Sequence, residues 1–260
     1  MVGGKIFSQI KYLNISYSGE LQFALLNWLS SFVSLGLTPD LPDSLIEKFP
    51  ERNVPYVFEK YDTNSSFLIN FWENLGIIVF AAIIWGLFKG LELLFASKKK
   101  SSIALIPRKV RVMIQNFLIS VLYGVYGDLI LFSIIEYRTF AFGWNLSLLS
   151  FVISIILFIT MLLSFFYQVK ILLTYQRIKK QESTTQNSKL LEKFTKNHEG
   201  SQVFFKDFKD YSFAPQLFLF FLSGRDLIFS LILATMFEYP VVQTLIFTIL
   251  GGLMIAYLFI

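Results

Sequence analysis

Two adjacent charges, Arg225 and Asp226, lie near the middle of an otherwise apolar stretch at residues 217–237. On an insertion scale, each charge at the centre of a membrane helix costs about 3 kcal/mol, and each Leu, Ile or Phe returns about 0.3–0.6 kcal/mol. Gain and penalty roughly cancel over this stretch, so a helix here needs neighbours that accept its charged pair. Because adjacent residues of an α-helix point about 100° apart, we expect the two side chains not to satisfy each other fully. At least one of them should face another helix.

Two acids elsewhere in the chain are available to Arg225. Asp128 lies well inside an apolar run at 112–135, and Glu73 lies near the entrance of another at 67–88. Buried intramembrane acids usually find a partner or line a wet cavity. Asp128 is therefore the preferred partner of Arg225. The alternative is that Asp128 lies near the outer interface and is simply hydrated.

A second arrangement places Arg225 and Asp226 at the cytoplasmic surface instead. The crossing then begins near Arg225, and Pro240 kinks one long helix rather than closing a hairpin. Gln243, three residues after Pro240, would help to satisfy the backbone groups that the kink frees. The sequence leaves both arrangements open.

The composition predicts an all-α, polytopic bundle of transmembrane helices. The 260 residues are 55% hydrophobic and 16% charged, whereas soluble domains carry about 25% charged residues. The apolar runs are long and do not alternate, which disfavours a β-barrel. A weaker run at 21–37 either crosses the membrane or lies in its interface. Five firm spans are expected at 67–88, 112–135, 144–169, 217–237 and 241–260.

Loop charges predict the orientation of these spans. The loop at 38–66 is acidic and is assigned outside the cytoplasm, and Asn64 in its Asn-Ser-Ser sequence is a candidate glycosylation site. The loop at 97–111 and the linker at 170–211 are basic and are assigned to the cytoplasm, which places the short turns at 137–143 and 238–240 outside. The linker is expected to be disordered around QESTTQNS and to form a short surface helix at each end. The bases of the loop at 97–111 could also bind anionic lipid; they are Lys98, Lys99, Lys100, Arg108, Lys109 and Arg111.

Motifs for catalysis, cofactors and metals are absent from the sequence. It contains no phosphate-binding loop, dinucleotide glycine pattern, nucleophile elbow or HExxH motif, so we expect no enzyme activity and no cofactor. The absence of cysteine excludes disulfides and thiolate metal sites, and the single His198 is expected to be an ordinary surface residue. The net charge of +5 arises from bases beside spans, which indicates topology rather than nucleic-acid binding.

Several segments resemble the carboxy-terminal membrane region of large ciliate surface proteins. They are IKYLNISY (10–17), SSFLINFWENLG (65–76), VRVMIQNFLISVLYGVYGDL (110–129) and the stretch from FKDFKDY (205–211) to YPVVQ (239–243). That region is similar to the TRP-like, polycystin-like family, which also includes fungal flavin-carrier proteins. An Arg followed by an apolar stretch and P-x-x-Q matches Arg225, Pro240 and Gln243. Because the chain also starts in a mixed segment and ends inside an apolar run, we expect it to be a fragment.

The resemblance implies the membrane domain of a cation channel or transporter-type surface protein. The alternative is a non-conducting anchor or scaffold for an extracellular domain. The implied partners are the lipid bilayer and permeating cations, with homo-oligomerisation left open and no nucleic acid. The expected location is the plasma membrane or an endomembrane. A conduction role predicts a wet cavity beside Arg225 and Asp226, whereas an anchor predicts a sealed ion pair.

Overall fold

A computed structural model describes residues 12–13, 18, 20–21, 39–50, 52–95, 102–140, 146–185, 189–205 and 217–259. Within these ranges the chain is helical, with no β-strand. Two one-turn helices lie in the polar loop at 38–66, α1 (Asp43–Ile46) and α2 (Tyr56–Glu59), and a third, α3 (Phe67–Asn70), follows directly after it. The predicted all-α class is confirmed.

Five long apolar helices follow. They are α4 (Trp72–Phe95), α5 (Ser102–Thr139), α6 (Leu146–Thr185), α8 (Phe218–Thr235) and α9 (Pro240–Leu258). Between α6 and α8 lie a short amphipathic helix, α7 (Lys189–Asn197), and a 3₁₀ helix (Glu199–Phe204). Each of the five long helices is long and apolar enough to cross a membrane. The structure therefore has the composition of a helical integral membrane protein.

Two helices extend well past the expected spans. α5 begins at Ser102 and ends at Thr139, so part of the predicted basic loop is helical. α6 continues to Thr185, where a separate surface helix and a disordered stretch were expected. The extension of α6 is explained by burial, because Ile171, Leu172 and Tyr175 are all buried. Their i, i+1, i+4 spacing forms one helix face, which keeps the polar sequence helical beyond its apolar part.

The expected span at 67–88, by contrast, is interrupted near its start. Phe71 separates α3 from α4 with a backbone conformation outside the helical region (φ −105°, ψ 6°), so the long helix begins at Trp72 rather than at Phe67. The weak span at 21–37 falls almost entirely outside the described residues. So do Lys98, Lys99 and Lys100 and most of the stretch from 205 to 216.

The chain divides into two compact units, and the first comprises Met1–Gly76, Gly124–Leu162 and Leu222–Ile260. Its core includes the fully buried Phe67 and Phe71, whose rings stack at 4.9 Å. Leu129 of α5 and Leu233 of α8 are also fully buried. The polar loop around α2 joins this core, because Phe58 packs against Tyr12 and Phe237.

The second unit comprises Ile77–Tyr123 and Leu163–Phe221. Its core is an aromatic cluster in which Tyr175 of α6 stacks on Phe205 at 5.2 Å and lies 6.0 Å from Phe194 of α7. Phe204 of the 3₁₀ helix packs edge-on against Tyr123 of α5. Four elements therefore meet in this unit: α5, α6, α7 and the 3₁₀ helix.

Candidate functional site

The charged pair in α8 is closed and buried. Arg225 Nε and Nη2 lie 3.1 Å and 2.6 Å from the same Asp226 Oδ1. The side chains are 11% and 2% exposed. Among the residues that the structure describes, Arg225 pairs with its neighbour rather than with Asp128, so the predicted partner is wrong. The long Arg side chain bends back along the helix far enough to overcome the 100° offset between the two positions.

The pair lies in the middle of α8. With a rise of about 1.5 Å per residue, Arg225 lies about 10 Å from Phe218 and about 15 Å from Thr235 along the helix axis. The segment from Arg225 to Thr235 is too short to cross a hydrocarbon layer of about 30 Å by itself. A crossing that begins near Arg225 is therefore incompatible with α8 as it stands.

Pro240 starts a new helix and does not kink a continuous one. α8 ends at Thr235, and Pro240 occupies the first turn of α9, where its missing N–H removes no helical hydrogen bond. Phe229 of α8 and Phe247 of α9 stack face to face with ring centroids 3.5 Å apart. The two helices therefore lie side by side as a hairpin, and the predicted kink is wrong.

Gln243 contributes to this hairpin rather than to a kink. Its Nε2 donates to the backbone oxygen of Ile232 at 3.4 Å, and the side chain is fully buried. The Ile232 oxygen already accepts the N–H of Met236 at 2.8 Å. Gln243 Oε1 is buried and has no hydrogen-bond partner in the described structure. Gln243 thus joins α8 and α9 through one long, weak hydrogen bond.

The other two candidate acids occupy different settings. Asp128 of α5 is half-buried and close enough to Tyr12 for its charge to act on that phenol. Burial raises the pKa of Tyr12 above its ordinary value. A hydrogen bond with Thr63 lowers this pKa, and the negative charge of Asp128 raises it. Glu73 is exposed in the first turn of α4, where a carboxylate interacts favourably with the helix dipole.

The most connected polar group of the first unit was not among the predicted site residues. Glu136, in the last turn of α5, is completely buried. Its Oε2 accepts the backbone N–H of Phe67 at 2.6 Å and the hydroxyl of Ser150 at 2.9 Å. Ser150 Oγ in turn accepts the N–H of Leu68 at 3.0 Å. Glu136 and Ser150 together cap the amino end of α3, whose first N–H groups lack helical partners.

Arg52 completes this cluster. Its Nη1 lies 3.5 Å from Glu136 Oε1, and its Nη2 donates to the hydroxyl of Ser147 in α6. The guanidinium also lies over the ring of Phe140, 5.4 Å from the centroid. We call Arg52, Glu136, Ser147 and Ser150 the Glu136 cluster. It fastens the first polar loop to the ends of α5 and α6.

Arg52 also borders a polar pocket of about 540 Å³. Glu59, Thr63 and Asn64 line the same pocket, so its wall offers one cation, one carboxylate and neutral hydrogen-bonding groups. The guanidinium that holds Glu136 thus also lies at the edge of a space that water can enter.

The sequence shows an acid at position 136, but residue spacing alone could not identify its partners. Glu136 stands at the end of an apolar run, where a hydrated interfacial acid is the ordinary expectation. Its partners are distant in sequence: Phe67 is 69 residues away and Arg52 is farther still. Only the packing of three segments reveals that the carboxylate is buried.

Asn64 is partly enclosed in the folded chain. Its Oδ1 accepts the N–H of Ser66 at 2.9 Å, and its backbone is paired with Asn70 in both directions. Ser66, the hydroxyl residue of the candidate glycosylation sequence, is buried and bonded to Ser150 at 3.0 Å. A glycan on Asn64 would therefore have to be added before this loop packs.

Three of the six basic residues predicted to face lipid lie on α5 within the described residues, and two of these three form ion pairs. Arg108 lies 2.8 Å from Glu199, and Arg111 lies 2.6 Å from Glu92. Lys109 is exposed on α5. Part of the predicted lipid-binding loop is thus engaged in ion pairs within the second unit.

The described residues contain no group of three or more His, Cys, Asp or Glu side chains that could hold a metal ion. The polar groups of the first unit form ion pairs, hydrogen bonds and helix caps, an arrangement that suits structural positioning of helices. No family model, curated protein or solved structure matches the chain.

Proposed function

We propose that this chain is a membrane-embedded anchor or scaffold, a helical domain that holds its extracytoplasmic loop in a fixed position on the bundle. The observation that carries the proposal is the sealed state of the charges inside α8. Asp226 is 2% exposed and chelated by Arg225. Ion-conducting paths usually place such groups beside water.

The Glu136 cluster supports the same proposal. It joins the loop to α5 and α6 through Arg52, caps α3, and buries the carboxylate completely. Additional contacts fix the loop from other directions. Thr139 Oγ1 donates to the backbone oxygen of Ser65, and Trp72 Nε1 donates to that of Pro39. A loop held at this many points suits a platform for a domain outside the membrane.

A second candidate is the membrane part of a TRP-like cation channel or transporter-type protein. Two observations favour it: the resemblance of four segments to that family, and the 540 Å³ polar pocket, which brings water-accessible space next to Arg52 and hence to Glu136. In this role Glu136 would lie at the mouth of a cation path. The pair in α8 would then act only in helix packing.

Cation flux through the purified chain in proteoliposomes discriminates between the two candidates. The anchor proposal predicts no flux above that of protein-free vesicles, with or without Arg225→Ala or Asp226→Ala. The same variants should lower stability, because each leaves a buried charge without its partner. Glu238→Ala is the matched control, since Glu238 is exposed in the turn before α9.

Measurable flux in the wild type would overturn the anchor proposal. If Glu136→Gln then abolished that flux and Arg225→Ala did not, the path would run by the Glu136 cluster. If both charge variants of α8 altered the flux, the conducting path would lie beside Arg225 and Asp226.

A further inference from the structure

A cationic pocket of about 180 Å³ lies within the second unit. Arg108 and Arg111 reach it from α5, and Lys196 reaches it from the end of α7. The acid in its wall is Glu199, at the start of the 3₁₀ helix. Three bases and one acid from different elements therefore converge on one small space, which leaves it positively charged.

The cations of this pocket are not fully neutralised by their neighbours. Glu199 pairs with Arg108 at 2.8 Å, and Arg111 pairs with Glu92 at 2.6 Å. Lys196 is exposed and makes no ion pair with any residue that the structure describes. An anion in the pocket would find Lys196 available and two guanidinium groups each with donors to spare, because Arg carries five N–H donors.

Contacts around the pocket hold its wall in place. Asn116 Nδ2 donates to the backbone oxygen of Glu199 at 3.0 Å, and the Gln115 side chain packs directly against Gly200. A Cβ at position 200 would require the terminal amide of Gln115 to move away. Tyr167 of α6 contacts the hydroxyl of Ser201 at 3.4 Å. These contacts fix the backbone at Glu199 and the side chain of Ser201, which lowers the entropy cost of ordering this part of the wall on binding.

We propose that this pocket binds a phosphate group. Guanidinium groups match the oxygens of phosphate by paired N–H···O bonds, and a lysine supplies an additional point charge. A single water needs only about 15 Å³ of such space, so 180 Å³ accommodates a phosphate with some of its hydration. The phosphate belongs either to a free anion or to the headgroup of a phosphate-monoester lipid.

Binding of radiolabelled inorganic phosphate to the full chain in uncharged detergent tests this site. Lys196→Ala should weaken binding about threefold, as expected for loss of one solvent-exposed charge partner. Glu199→Gln should strengthen it about threefold, because it removes the competing carboxylate from Arg108 and retains the side-chain shape. The matched control is Lys193→Ala, since Lys193 is also exposed on α7 but does not line the pocket.

Lipid nanodiscs distinguish the two sources of the phosphate. If phosphatidic acid co-purifies with the wild type in excess over phosphatidylcholine, and less so with Lys196→Ala, the site takes a lipid headgroup. If inorganic phosphate binds and phosphatidic acid is not enriched, the site takes a soluble phosphate. Absence of saturable phosphate binding and of phosphatidic-acid enrichment overturns the proposal. Equal losses in Lys196→Ala and Lys193→Ala also overturn it, because they would indicate diffuse charge attraction.

Discussion

At the residue scale, burial and pairing decide what each charged side chain can do. Glu136 is fully buried and receives donors from Phe67, Ser150 and Arg52. A buried carboxylate of this kind is strongly unfavourable when one partner is removed, although the intact pair is close to neutral against an apolar replacement. The loss of stability on mutating Glu136 therefore depends on whether Arg52 remains buried without a charged partner.

We predict that Glu136→Gln destabilises the first unit by about 3 kcal/mol, since it leaves Arg52 buried beside a neutral amide and weakens the cap of α3. Equilibrium unfolding in mixed micelles with increasing dodecyl sulfate measures this loss. Glu238→Gln, an exposed acid, should change stability by less than about 0.5 kcal/mol. Arg52→Gln tests the coupling between the two residues. The double variant, Arg52→Gln with Glu136→Gln, should lose about 1–2 kcal/mol less stability than the two single variants lose together. Strict additivity would show that Arg52 and Glu136 do not interact.

At the element scale, long apolar runs predicted the existence of the helices but not their ends. The runs at 112–135 and 144–169 correspond to α5 and α6, yet both helices extend well beyond them. The extra turns are polar on one face and are stabilised by tertiary contacts, such as that of Tyr175 with Phe205. Such contacts depend on residues far apart in sequence, so periodicity within one apolar window could not reveal them.

The same limit explains the errors in α8 and α9. A proline inside an apolar stretch is compatible both with a kink and with the first turn of a new helix. The decision rests on the stacking of Phe229 on Phe247, across a turn whose geometry the sequence does not encode in a recognisable motif. The error about the partner of Arg225 has a similar cause. The Arg225 side chain is long enough to reach Asp226, although the two positions point in different directions on the helix.

In the α8–α9 hairpin, we expect the apolar contact to contribute more to stability than the polar one. Phe247→Ala should destabilise the hairpin by about 1 kcal/mol or more, through loss of the aromatic stack. Gln243→Leu should be neutral or slightly stabilising, because it removes a buried Oε1 without a partner and sacrifices only a 3.4 Å hydrogen bond. Dodecyl sulfate unfolding of the two variants provides the comparison. A larger loss for Gln243→Leu than for Phe247→Ala would contradict this ranking.

At the scale of the whole molecule, the loop charges predict which side of the membrane each segment faces. In the first unit, the segments assigned to the outer side contact one another: Arg138 at the end of α5 donates to the oxygen of Ala234 near the end of α8. In the second unit, segments assigned to the cytoplasm do the same, since Glu199 pairs with Arg108. If these assignments hold, successive long helices are expected to cross the membrane in alternating directions.

Single cysteines test this arrangement without background, because the chain contains no native cysteine. Cysteines introduced at Asp43 and Glu238 should react in intact cells with a membrane-impermeant maleimide, since both positions are exposed in segments assigned to the outer side. A cysteine at Lys193, exposed on α7, should react only after the membrane is permeabilised. All three sites should label equally in detergent, which controls for intrinsic reactivity. If the cysteine at Glu238 labelled only after permeabilisation while that at Asp43 labelled in intact cells, α8 and α9 would have to insert from the opposite side. The positive-inside assignment of the linker before α8 would then be wrong. That outcome would also conflict with the hydrogen bond from Arg138 to the Ala234 oxygen, which holds the ends of α5 and α8 together.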